Sequence, residues 1–161
     1  MGNSQKLSIQ IIGNLNAACA CVGDVNGLDG KVAYRLGRLG SFTDSIIRQA
    51  NRTHQNILKE HHKKIEKMNE EQKKAEAEKV AVKIQELNEM EEEVNVPKFK
   101  YSEFISATDT RVGDRDIKAG QPLVPIKFFS LMGEFVEDDQ GVVKGMFEKK
   151  EKATVKKAAG K

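Results

Sequence analysis

Several residue types that build enzyme clefts and secreted domains are scarce in this sequence. It contains no tryptophan, two tyrosines and seven phenylalanines, whereas 32% of its residues are charged. This balance is typical of long solvated helices around a small core and argues against a deep catalytic cleft. No apolar run approaches the roughly 18 residues that a membrane span requires. The first residues, MGNSQKLS, have neither the basic nor the apolar region of a secretory signal, so we expect no membrane partner and a cytoplasmic origin.

Cysteine and histidine are too few and too poorly spaced to predict a metal site. Cys19 and Cys21 lie two positions apart, which places them on different sides of a helix, so we interpret them as small packing residues. His54 and His61 share a helix face but are two turns apart, too far for one ion. The glycine-rich segment GDVNGLDG lacks the spacing of both phosphate and calcium loops. We therefore expect no cofactor, no metal and no catalytic residues, and we predict a protein that is not an enzyme.

Apolar periodicity predicts the first elements of the chain. In LSIQIIGNLNAACACV, apolar residues recur every three to four positions, which predicts a helix over about 9–21 with Ser8 as its N-cap. Residues 6–8 are predicted to form a short strand before it. Asp29 is expected to cap a second helix, in which Gly37 and Gly40 leave a kink or break possible. After a second apolar stripe over about 80–94, VNVPKF predicts a short edge strand.

The segment KMNEEQKKAEAEK, residues 67–79, lies between the two stripes and has no large branched or aromatic side chain. Its residues are good helix formers, which favours one continuous rod. The periodicity of the apolar residues favours a hairpin. The step of five residues from Ala75 to Val80 places the second apolar stripe on a different face of a continuous helix. We favour the hairpin, with arms of about 31–68 and 70–93, and keep a long coiled-coil helix as the alternative.

The charges of the two arms are complementary. Residues 31–68 hold nine basic and three acidic side chains, and residues 69–93 hold four basic and nine acidic ones. Folding the chain near Asn69 would lay one arm along the other, with Glu91 near Arg48 and Glu86 near Arg52. Such exposed pairs select an arrangement more than they stabilise it. The predicted interaction residues are Arg35, Arg38, Arg48, Arg52, Glu86 and Glu91.

The C-terminal third is predicted to contain a polar loop, a small closing helix and a basic tail. SATDTRVGDRDIKAGQP is interpreted as the loop, and VPIKFFSLMGEFVEDD as a short helix that packs on the core. We expect one domain over 1–140 and a lysine-rich tail over 141–161 that is disordered when alone. The tail is the candidate contact for nucleic acid or another partner, through Lys149, Lys150, Lys152, Lys156 and Lys157.

These elements together predict a mostly α fold with a minor β element. Its main part is a long charged helical hairpin, or a long coiled-coil helix. A small core formed by the N- and C-terminal segments and a short edge strand complete it.

The segments LSIQIIGNLNAACACV and GKVAYRLGRLGSF, followed by EEEVNVPKFKYSEF and IKFFSLMGEFVED, carry a resemblance. Over about residues 6–138 the chain resembles small uncharacterised proteins of tailed bacteriophages, encoded among structural and assembly genes. It departs from them in its GDVNGLDG loop, in the absence of a glycine- or aspartate-rich turn between the charged helices, and in its basic tail.

The resemblance implies a phage structural or assembly protein that acts through protein–protein contacts in or on the virion. The expected partners are other phage structural proteins or further copies of the chain, and the expected location is the virion or the host cytoplasm. Two other hypotheses remain open. One is a small phage protein that binds and inhibits a host factor or defence system, and the other is a DNA-associated packaging protein that uses the basic tail.

Overall fold

The computed structural model describes residues 3–22, 25 and 27–141. Within these residues, four α-helices, six short strands and two 3-10 turns follow one another. In order they are β1 (Asn3–Ser8), α1 (Ile9–Ala20), α2 (Gly30–Ile65), α3 (Glu70–Glu89), β2 (Glu91–Val96), β3 (Phe99–Lys100), the 3-10 turn Tyr101–Phe104, β4 (Thr110–Val112), β5 (Arg115–Ile117), α4 (Ile126–Met132), the 3-10 turn Gly133–Phe135 and β6 (Val136–Glu137).

The first two helices begin where their capping residues predict. The side chain of Ser8 accepts a hydrogen bond from the backbone N–H of Ile11, and that of Asp29 accepts one from Lys31. Each cap satisfies a backbone donor that lacks a partner in the first helical turn. Helix α2 runs unbroken past Gly37 and Gly40, because its buried residues Val32, Leu36 and Leu39 hold these turns against the core.

The two long helices form a hairpin, and its turn includes the start of the charged segment 67–79. Helix α2 ends at Ile65, and Asn69 begins α3 with a reciprocal pair of hydrogen bonds to Gln72, a capping box. This arrangement satisfies backbone donors at the start of α3 and so allows the chain to reverse without glycine or proline. Lys64 and Glu76, on opposite arms, form an ion pair at 3.5 Å. The predicted hairpin is confirmed, and the continuous rod is wrong for this chain.

A two-stranded antiparallel ribbon joins the N-terminus to the end of the second arm. Strand β1 pairs with β2 over six residues, from Asn3 opposite Val96 to Ser8 opposite Glu91. The sequence predicted a short strand at residues 6–8 and an edge strand from Val94, but β1 already begins at Asn3 and β2 at Glu91. The acidic run therefore ends in extended backbone, with Val94 and Val96 buried.

The core lies where α1, the start of α2, the ribbon and the C-terminal elements meet. An aromatic cluster fills its centre. Phe104 has its ring centroid 4.8 Å from that of Phe128 and 5.9 Å from that of Phe129, and Tyr101 lies 5.0 Å from Phe129. Helix α4 supplies two of these rings, which confirms that the predicted closing helix packs on the core.

The predicted polar loop contains a small β-hairpin. Strands β4 and β5 pair around the two residues Gly113 and Asp114. Gly113 has a φ of +58°, which fits the first position of the two-residue hairpin turn that glycine favours. Asp109 forms an ion pair with Lys118, and Asp116 forms one with Arg111. The sequence interpretation missed this hairpin because its strands are only three residues long.

The fold is mostly α with a minor β element, as predicted. Of the predicted tail, only Gly141 belongs to the described residues. The five tail lysines predicted as contacts, Lys149, Lys150, Lys152, Lys156 and Lys157, lie outside them.

Candidate interaction surfaces

Arg35 is held within the fold. Its guanidinium forms an ion pair with Glu103, donates a 3.1 Å hydrogen bond to the carbonyl of Lys98, and lies 4.9 Å from the ring centroid of Phe99. The other carboxylate oxygen of Glu103 accepts the N–H of Lys100 at 2.8 Å. Arg35, which was predicted as an interaction residue, connects α2 to the segment after β2 through these contacts.

Arg38, one turn further along α2, lies beside a groove. The α2 groove has a volume of about 490 Å³. It is lined by Tyr34, Arg35, Arg38, Leu39, Phe42, Asn95, Pro97 and Lys98. Within the described residues, neither the guanidinium of Arg38 nor the ammonium of Lys98 has an ionic or hydrogen-bond partner. The groove therefore has two uncompensated positive charges, since Glu103 neutralises that of Arg35.

Two aromatic side chains of the α2 groove face solvent. Tyr34 is 66% exposed and Phe42 is 48% exposed, and they lie eight residues apart on one face of α2. A face of this kind, with apolar rings beside cations, resembles the centre of protein–protein interfaces, where aromatic residues and arginine are enriched. The sequence interpretation predicted neither residue as an interaction residue, because it selected candidates by charge. Their common helical face was the available signal.

The predicted ion pairs between the arms do not form. Among the described residues, no ion pair within 4.0 Å joins Arg48 to Glu91 or Arg52 to Glu86. Arg48 contacts Asp44 at 2.7 Å, four residues earlier in the same helix. Asp44 lies one turn away on the same helix, so Arg48 pairs with it without any contact to the other arm. Arg52, Glu86 and Glu91 are exposed.

The pairing between the arms is concentrated near the turn. The carboxylate of Glu76 is only 13% exposed and lies between Lys64, at 3.5 Å, and Lys79, at 3.9 Å. Beside it a shallow hollow includes Met68 and Lys67. Among the described residues, the complementary charges of the arms thus contribute one ion pair between the two helices, that of Lys64 with Glu76.

Helices α1 and α2 approach closely at Cys19 and Gly40. A Cβ atom added at Gly40 would lie 3.1 Å from the Cβ of Cys19. Asn16 donates to the hydroxyl of Thr43 at 3.2 Å in the same contact. Burial raises the pKa of the Cys19 thiol to about 11. Cys19 is therefore a packing residue, as predicted, and its thiol is a poor nucleophile.

The described residues contain no group of three or more histidine, cysteine, aspartate or glutamate side chains arranged to hold a metal ion. None of the helices in that part of the chain combines the length and the apolar character needed to cross a membrane.

Comparisons with known proteins add no relative to this picture. A scan against protein-family models matches none of them, and searches of the curated proteins and of the solved structures give no match.

Proposed function

We propose that this chain is a non-enzymatic structural or assembly protein of a tailed phage that acts through protein–protein contacts in or on the virion, with other phage proteins or with further copies of itself. The observation that carries the proposal is the α2 groove, where Tyr34 and Phe42 are exposed beside Arg38 and Lys98. Burying two such rings in a partner removes apolar surface from water and contributes strongly to association. The phage assignment rests on the sequence resemblance.

The shape of the protein supports the same proposal. Its hairpin extends beyond the core, and the exposed face of α2 that lines the groove lies at the core end of the longer arm. Such a molecule offers an elongated surface for contacts.

The test is mass spectrometry of purified particles of the phage that encodes the chain. We expect peptides of the chain in the particles at a fixed ratio to the capsid protein. In the variant Tyr34→Ser/Phe42→Ser the particles should contain much less of the chain. The variant Val82→Ser is the matched control, because Val82 is 55% exposed on α3, outside the groove, and it should be incorporated normally.

Two results would contradict the proposal. If the chain is absent from particles and capsid assembly is normal without it, the chain is neither a component nor an assembly factor. If affinity purification from infected cells instead recovers one stoichiometric host protein, and the groove variant loses it, the chain is an inhibitor of a host factor.

A further inference from the structure

The outer edge of strand β2 is open. At the end of the β1–β2 ribbon, the N–H of Ile9 donates to the carbonyl of Met90 at 2.9 Å. Bonded pairs alternate along an antiparallel ladder, so the register directs the backbone groups of Glu92, Val94 and Val96 towards β1. Those of Glu91, Glu93 and Asn95 then point away from β1. No backbone partner for these three residues occurs among the described residues.

The C-terminal end of this edge reaches the α2 groove. Asn95 of β2, with Pro97 and Lys98 directly after the strand, lines the groove together with Tyr34, Arg38 and Phe42 of α2. An extended segment that entered the groove would meet unpaired N–H and C=O groups on one side and aromatic side chains on the other. Strand addition to an exposed sheet edge uses this combination, with main-chain bonds for affinity and side-chain contacts for specificity.

We propose that the segment that enters the groove is strand β2 of a second copy of this chain, paired antiparallel to the first. The sequence EEEVNVPKFK, residues 91–100, is acidic at its start and basic at its end. Antiparallel pairing about Asn95 places Glu92 of each copy opposite Lys98 of the other. The Glu91–Glu93 segment of each copy then lies opposite residues 97–99 of the other, in a groove whose lining includes the cations Arg38 and Lys98.

The charges favour a second copy over the basic tail of the same chain. The groove has two uncompensated cations, and residues 141–161 contain seven lysines against two glutamates, so the tail would be repelled. The acidic start of β2, Glu91–Glu93, is attracted to these two cations. Two-fold symmetry also fills both grooves at once and joins the two ribbons into one four-stranded sheet, which removes the open edge that favours uncontrolled association.

This inference rests on the proposed function in that the protein acts through protein contacts, and it adds the partner and the binding mode. The test of the dimer is separate from the test of whether the chain is present in purified particles. A chain that is monomeric in solution but present in particles would overturn the dimer and leave the virion proposal standing. A chain that forms a dimer in solution but is absent from particles would support the dimer and contradict the virion proposal.

The first experiment measures the mass of the full chain in solution by sedimentation equilibrium over a range of concentrations. We expect a monomer–dimer equilibrium for the wild type. Asn95→Pro removes an outward N–H and leaves the bonds to β1 in place, so it should weaken the dimer at least about tenfold. Asn95→Ala keeps that N–H and should dimerise like the wild type. A monomeric wild type at high micromolar concentration would overturn the inference.

The second experiment reverses charges and does not depend on how well the proline variant folds. Glu92→Lys and Lys98→Glu should each weaken the homodimer, because each places like charges opposite each other twice. Mixed in equal amounts, the two variants should form a heterodimer, in which both pairs are opposite in charge. If both single variants dimerise like the wild type, or if mixing restores nothing, β2 is not the interface. Raised salt should weaken the heterodimer, as screening requires.

Discussion

At the scale of single residues, two neighbouring arginines on α2 have different roles that the sequence alone did not separate. Arg35 combines an ion pair, a hydrogen bond to a carbonyl and an aromatic contact, whereas Arg38 is exposed in the groove. Both lie in the same basic stretch, three residues apart. What distinguishes them is Glu103, 68 residues further along the chain.

We expect Arg35→Ala to lower the free energy of unfolding by about 1–2 kcal/mol, because it removes three contacts and leaves the Lys98 carbonyl and the Glu103 carboxylate without this donor. Arg38→Ala should change that free energy by less than about 0.5 kcal/mol. Arg35→Lys should fall between them, since lysine keeps the charge but loses the planar fork. Chemical denaturation of the three variants measures the order, and equal effects of the two alanine variants would contradict it.

The thiol of Cys19 provides a second test at this scale. Burial raises its pKa from 9.0 to about 11, so at pH 8 its thiolate fraction is about a hundredfold below that of an ordinary thiol. In a Cys21→Ser variant, we expect iodoacetamide to alkylate the folded chain about a hundredfold more slowly than the chain in denaturant. Equal rates in the two conditions would show that Cys19 is not buried.

The same shift predicts a pH dependence of stability. The unfolded chain releases the Cys19 proton near pH 9.0 and the folded chain near pH 11. Above pH 9 the folded state therefore binds more protons than the unfolded state, and stability falls as the pH rises through this interval. Cys19→Ala should remove this part of the decline.

At the scale of elements, the packing of α1 on α2 depends on the absence of a side chain at Gly40. Alanine in place of glycine within a helix stabilises it by about 0.8–1 kcal/mol when space permits. At Gly37 nothing lies within 4 Å of the added Cβ, but at Gly40 the Cβ of Cys19 lies at 3.1 Å. That atom is fixed to the backbone of α1, so it moves only if the helix moves.

We therefore expect Gly37→Ala to raise the melting temperature and Gly40→Ala to lose this gain or to lower the melting temperature. The two variants have the same intrinsic helix propensity, so their difference isolates the contact between α1 and α2. Thermal unfolding followed by circular dichroism measures both. If Gly40→Ala raised the melting temperature as much as Gly37→Ala, α1 would shift to accommodate the added methyl group without loss of stability.

At the scale of the whole molecule, the hairpin determines the distance between the two arms. The ion pair of Lys64 with Glu76 sets a register in which Arg52 lies at the level of Asn88. Spin labels at these two exposed positions should report a distance of about 10–20 Å, the spacing of packed helices plus the labels. In a continuous rod the same positions would be roughly 55 Å apart along the axis.

A pair at Arg38 and Arg52 is the control. Both positions lie in α2, so their distance of about 21 Å along the axis is the same in either shape. A long distance between Arg52 and Asn88 with a normal control distance would show that the arms open in solution. Domain-swapped exchange of arms between copies would be excluded by diluting labelled protein with an excess of unlabelled protein, which should leave the short distance unchanged.

The sequence by itself determined the elements whose signals are local. Ser8 and Asp29 fix the starts of α1 and α2 through their caps, and the apolar stripes fix which faces are buried. The shift of phase between Ala75 and Val80 was sufficient to favour a turn near Asn69. These features depend on contacts within a few residues, so they can be read directly from the order of side chains.

Only the tertiary structure decided which charged and aromatic residues are used inside the fold and which are exposed. Arg35 is held inside the fold because Glu103 and Phe99, from a distant segment, contact its guanidinium. Arg48 pairs with Asp44 of its own helix and not with a residue of the other arm. The α2 groove exists because the segment from Asn95 to Lys98 lies beside Tyr34 and Phe42, more than fifty residues away in the chain. Such contacts depend on how the elements pack, and charge or periodicity along the chain does not contain that information.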